Sequence, residues 1–132
     1  MFRRIIRMAV AIALVSTLTG FGSGTPIYNV VAAPIAPNPA ATLDNIGKAV
    51  TRAGLQLGWK ISSQEPGKAE GVLVLRTHTA VVDITYDTKA FNITYKSSIN
   101  LDYKPENKTI HSNYNGWIKN LEKAITVQTS VL

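Results

Sequence analysis

The stretch Gly71-Val-Leu-Val-Leu75-Arg-Thr-His-Thr-Ala80-Val-Val-Asp-Ile-Thr85-Tyr-Asp-Thr-Lys-Ala90-Phe-Asn-Ile-Thr-Tyr95 decides the fold. Val, Ile, Thr, Tyr and Phe dominate it, and apolar residues alternate with polar ones. That period of two is the mark of adjacent strands with one dry face and one wet face. Two registers fit. In the first, strands 70–76 and 80–86 form a tight hairpin around Thr77-His78, with Leu73, Leu75, Ala80, Val82 and Ile84 on one face and Arg76 and Asp83 on the other. In the second, 71–86 is one long, bent strand. The hairpin is preferred, although Thr77-His78 lacks the Gly or Asn that a two-residue turn favours. Asp87-Thr88-Lys89 is a better turn, and strand 90–96 repeats the alternation with Phe91, Ile93 and Tyr95 inward and Asn92, Thr94 and Lys96 outward.

Upstream, Trp59-Lys-Ile-Ser reads as a further strand, joined by the turn Glu65-Pro66-Gly67-Lys68, in which proline sets φ and glycine supplies a positive φ. Before it, Leu43, Ile46, Val50, Ala53 and Leu57 recur at helical spacing. Thr42 suits the N-cap, Asp44 suits the positive end of the helix dipole, and Gly58 ends the helix. Lys48 and Arg52 lie on the opposite side, as a solvated helix face or as an anion patch; the solvated face is preferred. Downstream, Ser97 to Thr109 is a polar connection. A second helix starts near Ser112, with Tyr114, Trp117, Ile118, Leu121 and Ile125 on one stripe and Lys119 and Lys123 facing away. Two apolar helix stripes and a dry sheet face need one another. The expectation is an α+β domain over 42–127, ordered α-β-β-β-β-α, with two helices packed on one face of a small antiparallel sheet and a short tail at 128–132.

The N-terminus reads as an address. Arg3, Arg4 and Arg7 precede the apolar run Met8–Leu18, and small residues follow at Gly20, Gly22, Ser23 and Gly24, the layout of a secretory signal over 1–24. The run is about half the ~20 residues of a spanning helix. Residues 25–41 hold Pro26, Pro34, Pro37 and Pro39 and read as an extended tether; the apolar island Ile27–Val31 within it is open to docking as an edge segment or to disorder. The formal charge of +6 includes the three leader arginines. Past Gly24, eleven Lys and Arg against eight acids leave +3, too weak and scattered to imply a nucleic-acid partner. With no cysteine, disulfides, thiol catalysis and thiolate metal sites are excluded. Leu18-Thr19-Gly20 resembles the residues before a lipidated cysteine, but Phe21 stands where that cysteine belongs.

Several runs resemble a known pattern. They are Leu57-Gly58-Trp59, Pro66-Gly67, Leu75-Arg76-Thr77-His78-Thr79-Ala80, Val82-Asp83-Ile84 with Tyr86, Ile93-Thr94-Tyr95 followed by Ser98-Ile99-Asn100-Leu101, and Ile110 to Leu121. In this order they resemble a family of small, uncharacterised envelope proteins of proteobacteria, many labelled lipoproteins. The resemblance covers roughly 43–126 and is most specific over His111–Leu121. It implies export and a small α+β domain, and it implies no activity. Phe21 departs from the lipidation cysteine that such proteins often carry, which leaves membrane attachment open.

No catalytic motif emerges. His78 and His111 have no ligand spacing around them, and Ser97, Ser98 and Ser112 lie in no glycine-flanked elbow. Asp83 is the one acid inside a strand, where solvation or pairing with Arg76 explains it. Arg76, His78, Asp83 and His111 are the candidate binding residues for an anion, a carbohydrate or a lipid head group. The preferred structural roles are a polar face and turn for Arg76 and His78, and capping of helix 2 by Ser112 or Asn113 near His111. The chain reads as an exported, non-enzymatic envelope domain that binds or supports an envelope protein or lipid, without cofactor or metal; the alternative is a binding module for an anionic small molecule or lipid head group.

Overall fold

The computed structural model describes residues 24–132. The expected signal therefore lies, all but Gly24, outside the described residues. The elements are β1 (Thr25–Pro26), β2 (Val30–Pro34), α1 (Leu43–Gln56), β3 (Lys60–Glu65), β4 (Lys68–Leu75), β5 (His78–Tyr86), β6 (Ala90–Ile99), β7 (Thr109–Ile110) and α2 (Ser112–Ser130). Five strands form an antiparallel sheet in the order β2-β6-β5-β4-β3, and β1 pairs with β7 in a small separate ribbon. Both helices pack on one face of the sheet, so the α+β architecture expected from the alternation is the one observed.

The alternation does what its period requires. Ala69, Leu73, Ala80, Val82, Ile84, Phe91 and Ile93 all point inward and are buried. Cross-strand registers such as Leu73↔Ala80 and Ile84↔Ile93 place them side by side. Against them lie Ile46, Val50 and Ala53 of α1 and Tyr114, Ile118, Leu121 and Ile125 of α2, in a single core. Complete burial of each large aliphatic side chain stabilises the fold by about 1.5–3 kcal/mol. The opposite face carries the rows Glu70↔Asp83↔Thr94, Val72↔Val81↔Ser97 and Val74↔Thr79↔Ile99. Between the first two rows Lys96 is an extra residue, because Val82 opposes Tyr95 and Val81 opposes Ser97.

Local chemistry sets the ends of α1. Thr42 Oγ1 accepts from the Asn45 N–H at 3.1 Å. At the C-terminus Trp59 N–H donates to Gly54 O and Gly58 N–H to Leu55 O, with Gly58 at φ 84°. These two bonds are a Schellman closure, and Trp59, 2% exposed, pins the chain into the core just beyond it. Gly67, at φ 83°, closes the β3–β4 turn as expected.

Four expectations are corrected. The β4–β5 turn falls one residue earlier, at Arg76-Thr77, since Leu75 pairs with His78. Tertiary contacts fix that register: His78 Nδ1 bonds to Asn100 O at 2.6 Å, and Asn100 Nδ2 donates to Thr77 Oγ1 at 2.8 Å. Arg76 consequently takes φ 55°, and Leu75, the last residue before the turn, is 44% exposed. Residues 25–41 are not a free tether, because β2 supplies the edge strand beside β6 and buries Val30, Ala33 and Ile35. Pro34 is tolerated there because an edge strand needs no outward donor. The tail at 128–132 is largely the last turn of α2, where Thr129 is buried and donates to Ile125 O at 2.8 Å. Finally, His111 itself caps α2, its Nδ1 accepting from the Asn113 N–H at 3.1 Å, in place of Ser112 or Asn113.

Candidate functional site

A cleft opens where facing side chains are small. On the inner face of the sheet Ser63 of β3 pairs with Ala69 of β4, and neither reaches far toward the helix. On α1 the residues Gly47 and Thr51 face the same space. The result is a cleft of ≈ 740 Å³ between α1 and the β3–β4 hairpin. That volume lies within the ~300–1,000 Å³ typical of small-molecule sites. Leu43 and Pro66 close one end, and Tyr86, at the end of β5, lines the cleft between helix and sheet.

Tyr86 is almost completely buried, yet no hydrogen bond reaches its hydroxyl among the described residues. Its hydroxyl end lies against Gly47. Lys48 and Arg52, one helical turn apart, line the helix side. Lys48 is held 3.0 Å from Asp44 in an exposed i,i+4 pair, an arrangement worth little in water. Arg52 uses only Nε, donating to Gln128 Oε1 of α2 at 3.2 Å. Its terminal guanidinium nitrogens have no partner among the described residues. On the opposite side Glu65 is exposed and makes no salt bridge among the described residues. The cleft thus offers an unpaired guanidinium, a phenol hydroxyl able to donate, and apolar or small walls, with the Glu65 carboxylate on the side facing the helix. That set can hold a carboxylate or phosphate by charge-assisted hydrogen bonds. It contains no nucleophile with an adjacent base.

None of the four sequence candidates lines this cleft. Arg76 projects from an exposed turn with no hydrogen-bond partner among the described residues. His78 follows it on the inward side of β5 and is occupied by Asn100 O. Asp83 lies on the open outer face, where Lys96 Nζ is 3.8 Å from its Oδ1 and 2.6 Å from Glu70 Oε2. Of the two expected roles for Asp83, solvation or pairing with Arg76, the pairing is not made; Lys96 is its near cation, and the charged form of Lys96 is favoured chiefly by the hydrogen bond it donates to Glu70. At 3.8 Å the Asp83 contact is electrostatic, which agrees with Oδ1 being a buried atom without a hydrogen bond. His111 is spent on capping α2. Among the described residues no three His, Asp or Glu side chains group as a metal centre requires, and no helix is long and apolar enough to cross a membrane.

A second polar atom is orphaned in the core. Tyr114 Oη is buried without a partner, and burial pushes its phenol pKa far up. Its ring meets Tyr95 edge-on at 5.8 Å between centroids, and Tyr95 in turn lies 4.3 Å from Tyr103. None of these three rings lines the cleft.

Sequence reasoning reached Lys48 and Arg52 as one of two readings and missed Gly47, Ser63, Glu65 and Tyr86. The available signal was the small residue at inward positions, Gly47 on the helix and Ser63 on the strand. Comparison of the chain with family models, curated proteins and solved structures finds no match.

Proposed function

We propose that the chain is an exported, non-enzymatic domain of the bacterial envelope whose work is to bind an anionic ligand in the cleft between α1 and the β3–β4 hairpin. The observation that carries this reading is the Arg52 guanidinium, free at its terminal nitrogens, on the same cleft as the unpartnered Tyr86 hydroxyl. Export rests on the basic and apolar layout of residues 3–18 and on the resemblance to small envelope proteins. The absence of a nucleophile–base pair among the cleft residues favours binding over turnover. Anion binding belongs at Arg52 rather than at Arg76, His78, Asp83 and His111, since none of those four lines the cleft and two of them are occupied as hydrogen-bond partners.

The test is an amide chemical-shift titration of the full chain with butyrate and with inorganic phosphate, repeated with Arg52→Ala. Shifts centred on Thr51, Arg52, Ser63 and Tyr86 that vanish in the variant are expected. Shifts centred on Arg76 and His78 instead, or none at all, overturn the reading. Mass spectrometry of the mature N-terminus tests export: a chain starting at Met1 in the envelope fraction contradicts signal cleavage.

A further inference from the structure

The cleft does not end at the sheet. Beside it runs the open edge of β3. No backbone hydrogen bond from any other described element reaches the main chain of Lys60–Glu65 on the side away from β4. The other edge is guarded. There β2 carries Pro34, an irregular register between Val30 and Ala33, and Ala32 at φ 51°. The Ala32 N–H is already taken by Asn92 Oδ1 at 2.8 Å. Strand edges left open are templates for another strand, and proteins that do not use them block them. The β3 edge is irregular only at its hairpin end, between Ser63 and Glu65, and is open over Lys60–Ser63.

The helix lies alongside the open edge. A Cβ at Gly54 would collide with Ile61, and a Cβ at Gly67 would lie 3.9 Å from Leu43 Cδ2. So α1 runs opposite to β3, close to it at the Ile61 end and spread from it at the other by the cleft. A strand added to β3 would send every second side chain into the space beside α1 and the others onto the outer face. Each side presents a cation with no carboxylate within salt-bridge distance among the described residues: Arg52 beside the cleft, and Lys60, opposite Val72, on the outer face. Lys68, on β4 and also facing outward, adds a third.

We infer that the anionic ligand of the cleft is an extended acidic segment of a partner protein, bound as a sixth strand on β3 with acidic side chains against Arg52 on one face and Lys60 on the other. This rests on the cleft reading above and specifies its occupant. Main-chain pairing supplies the attachment, as in other strand-addition complexes, and the two cations select for acid. Glu65 and the Glu65/Ser63 register irregularity end the usable edge at the hairpin, so the segment is short.

The probe is a capped hexapeptide of alternating threonine and glutamate, with the threonine–lysine counterpart as control, added to the full chain while amide hydrogen exchange is followed. The acidic peptide should slow exchange of those β3 amides that exchange freely in the protein alone, and the basic peptide should not. Arg52→Glu should weaken binding about tenfold or more, the loss of an opposite charge and its replacement by a like one. Ser63→Pro, at a position whose N–H faces away from β4, should abolish it; if that variant fails to fold, Arg52→Glu still decides. Unchanged β3 amides, or equal binding of the basic peptide, overturns the inference. So does protection of the same amides by concentrating the protein alone, which would make a second copy the occupant. If butyrate still shifts Arg52 and Tyr86 while the acidic peptide leaves β3 untouched, the strand is wrong and the cleft reading survives. If neither probe acts, both fall.

Discussion

Gly47 of α1 lies against the hydroxyl end of Tyr86: a Cβ at Gly47 would stand 2.6 Å from Tyr86 Oη. The glycine is thus what lets a tyrosine lie beneath a helix and still show its hydroxyl to the cleft. Gly47→Ala gains about 1 kcal/mol of helix propensity and forces the Tyr86 ring aside. The clash is with the far end of a side chain bordering open space, so the two effects should nearly cancel. Stability measured by urea denaturation should change by less than about 1 kcal/mol, while anion binding in the cleft weakens. A loss of several kcal/mol would mean that the Tyr86 ring cannot yield.

Asn115 holds the N-terminal segment to α2. Its Oδ1 accepts from the Tyr28 N–H at 2.9 Å, and its Nδ2 donates to Pro26 O at 2.9 Å and to Thr25 Oγ1 at 3.2 Å. Tyr28 adds a hydroxyl bond to Glu122 at 2.7 Å and lies under Lys119, whose Nζ is 5.3 Å from the ring centre. Asn115→Ala should cost about 1–3 kcal/mol, since three bonds, two of them partly buried, lose their common partner. Amide exchange at Ile27 and Tyr28 should rise before that of β6. An Asn115→Ala protein as stable as the parent would show that the segment is held by β2 alone.

The His111 cap separates a structural role from a binding role. An N-cap acceptor can be replaced by asparagine but not by alanine. His111→Ala should destabilise the protein by about 1 kcal/mol, and His111→Asn should restore most of it. Neither should alter anion binding at Arg52. If His111→Asn abolishes binding while keeping the melting temperature, the imidazole has a role beyond the cap.

The sheet and both helices were legible because their information is periodic and local. Alternation from Ala80 to Ile84 and helical spacing from Tyr114 to Ile125 each repeat often enough to fix a face. The N-terminal strand was half legible: edge docking of Ile27–Val31 is one of two readings, and the prolines, which normally end structure, leave it undecided. Pairing with β6, burial of Val30, Ala33 and Ile35, and the side chains of Asn92 and Asn115 reaching back across the chain make 25–34 part of the domain. The turn register slipped by one for a similar reason. Nothing within Leu75–Thr79 chooses between two turns, and Asn100, more than twenty residues away, makes the choice. The candidate site was hidden because a cleft is made by what is missing. Gly47, Ser63 and Ala69 look unremarkable in a sequence and become a cavity only when they face one another. Arg76, His78, Asp83 and His111 drew notice as polar residues, but none of them lines the cleft.

The β5–β6 turn gives a pH prediction whose sign follows from its geometry. Asp87 Oδ1 accepts from the N–H groups of Lys89 at 2.7 Å and Ala90 at 2.8 Å. These bonds favour the carboxylate, first through Lys89 and then Ala90, and hold the Asp87 pKa below its ordinary 3.8. Because the folded value is depressed, the contribution is complete above the unfolded pKa and is lost as pH falls through the folded one. The loss should spread, since Lys89 O accepts from Ile35 N–H at 2.8 Å where the edge strand β2 ends. Thermal midpoints should therefore be flat around neutrality with respect to this group and decline below about pH 4. Asp87→Asn keeps an acceptor oxygen but cannot titrate. It should be somewhat less stable at pH 7, because a neutral acceptor is weaker than a charged one, and its midpoint should fall less steeply on acidification than that of the parent. Parallel acid limbs for the two proteins would place the acid sensitivity away from Asp87.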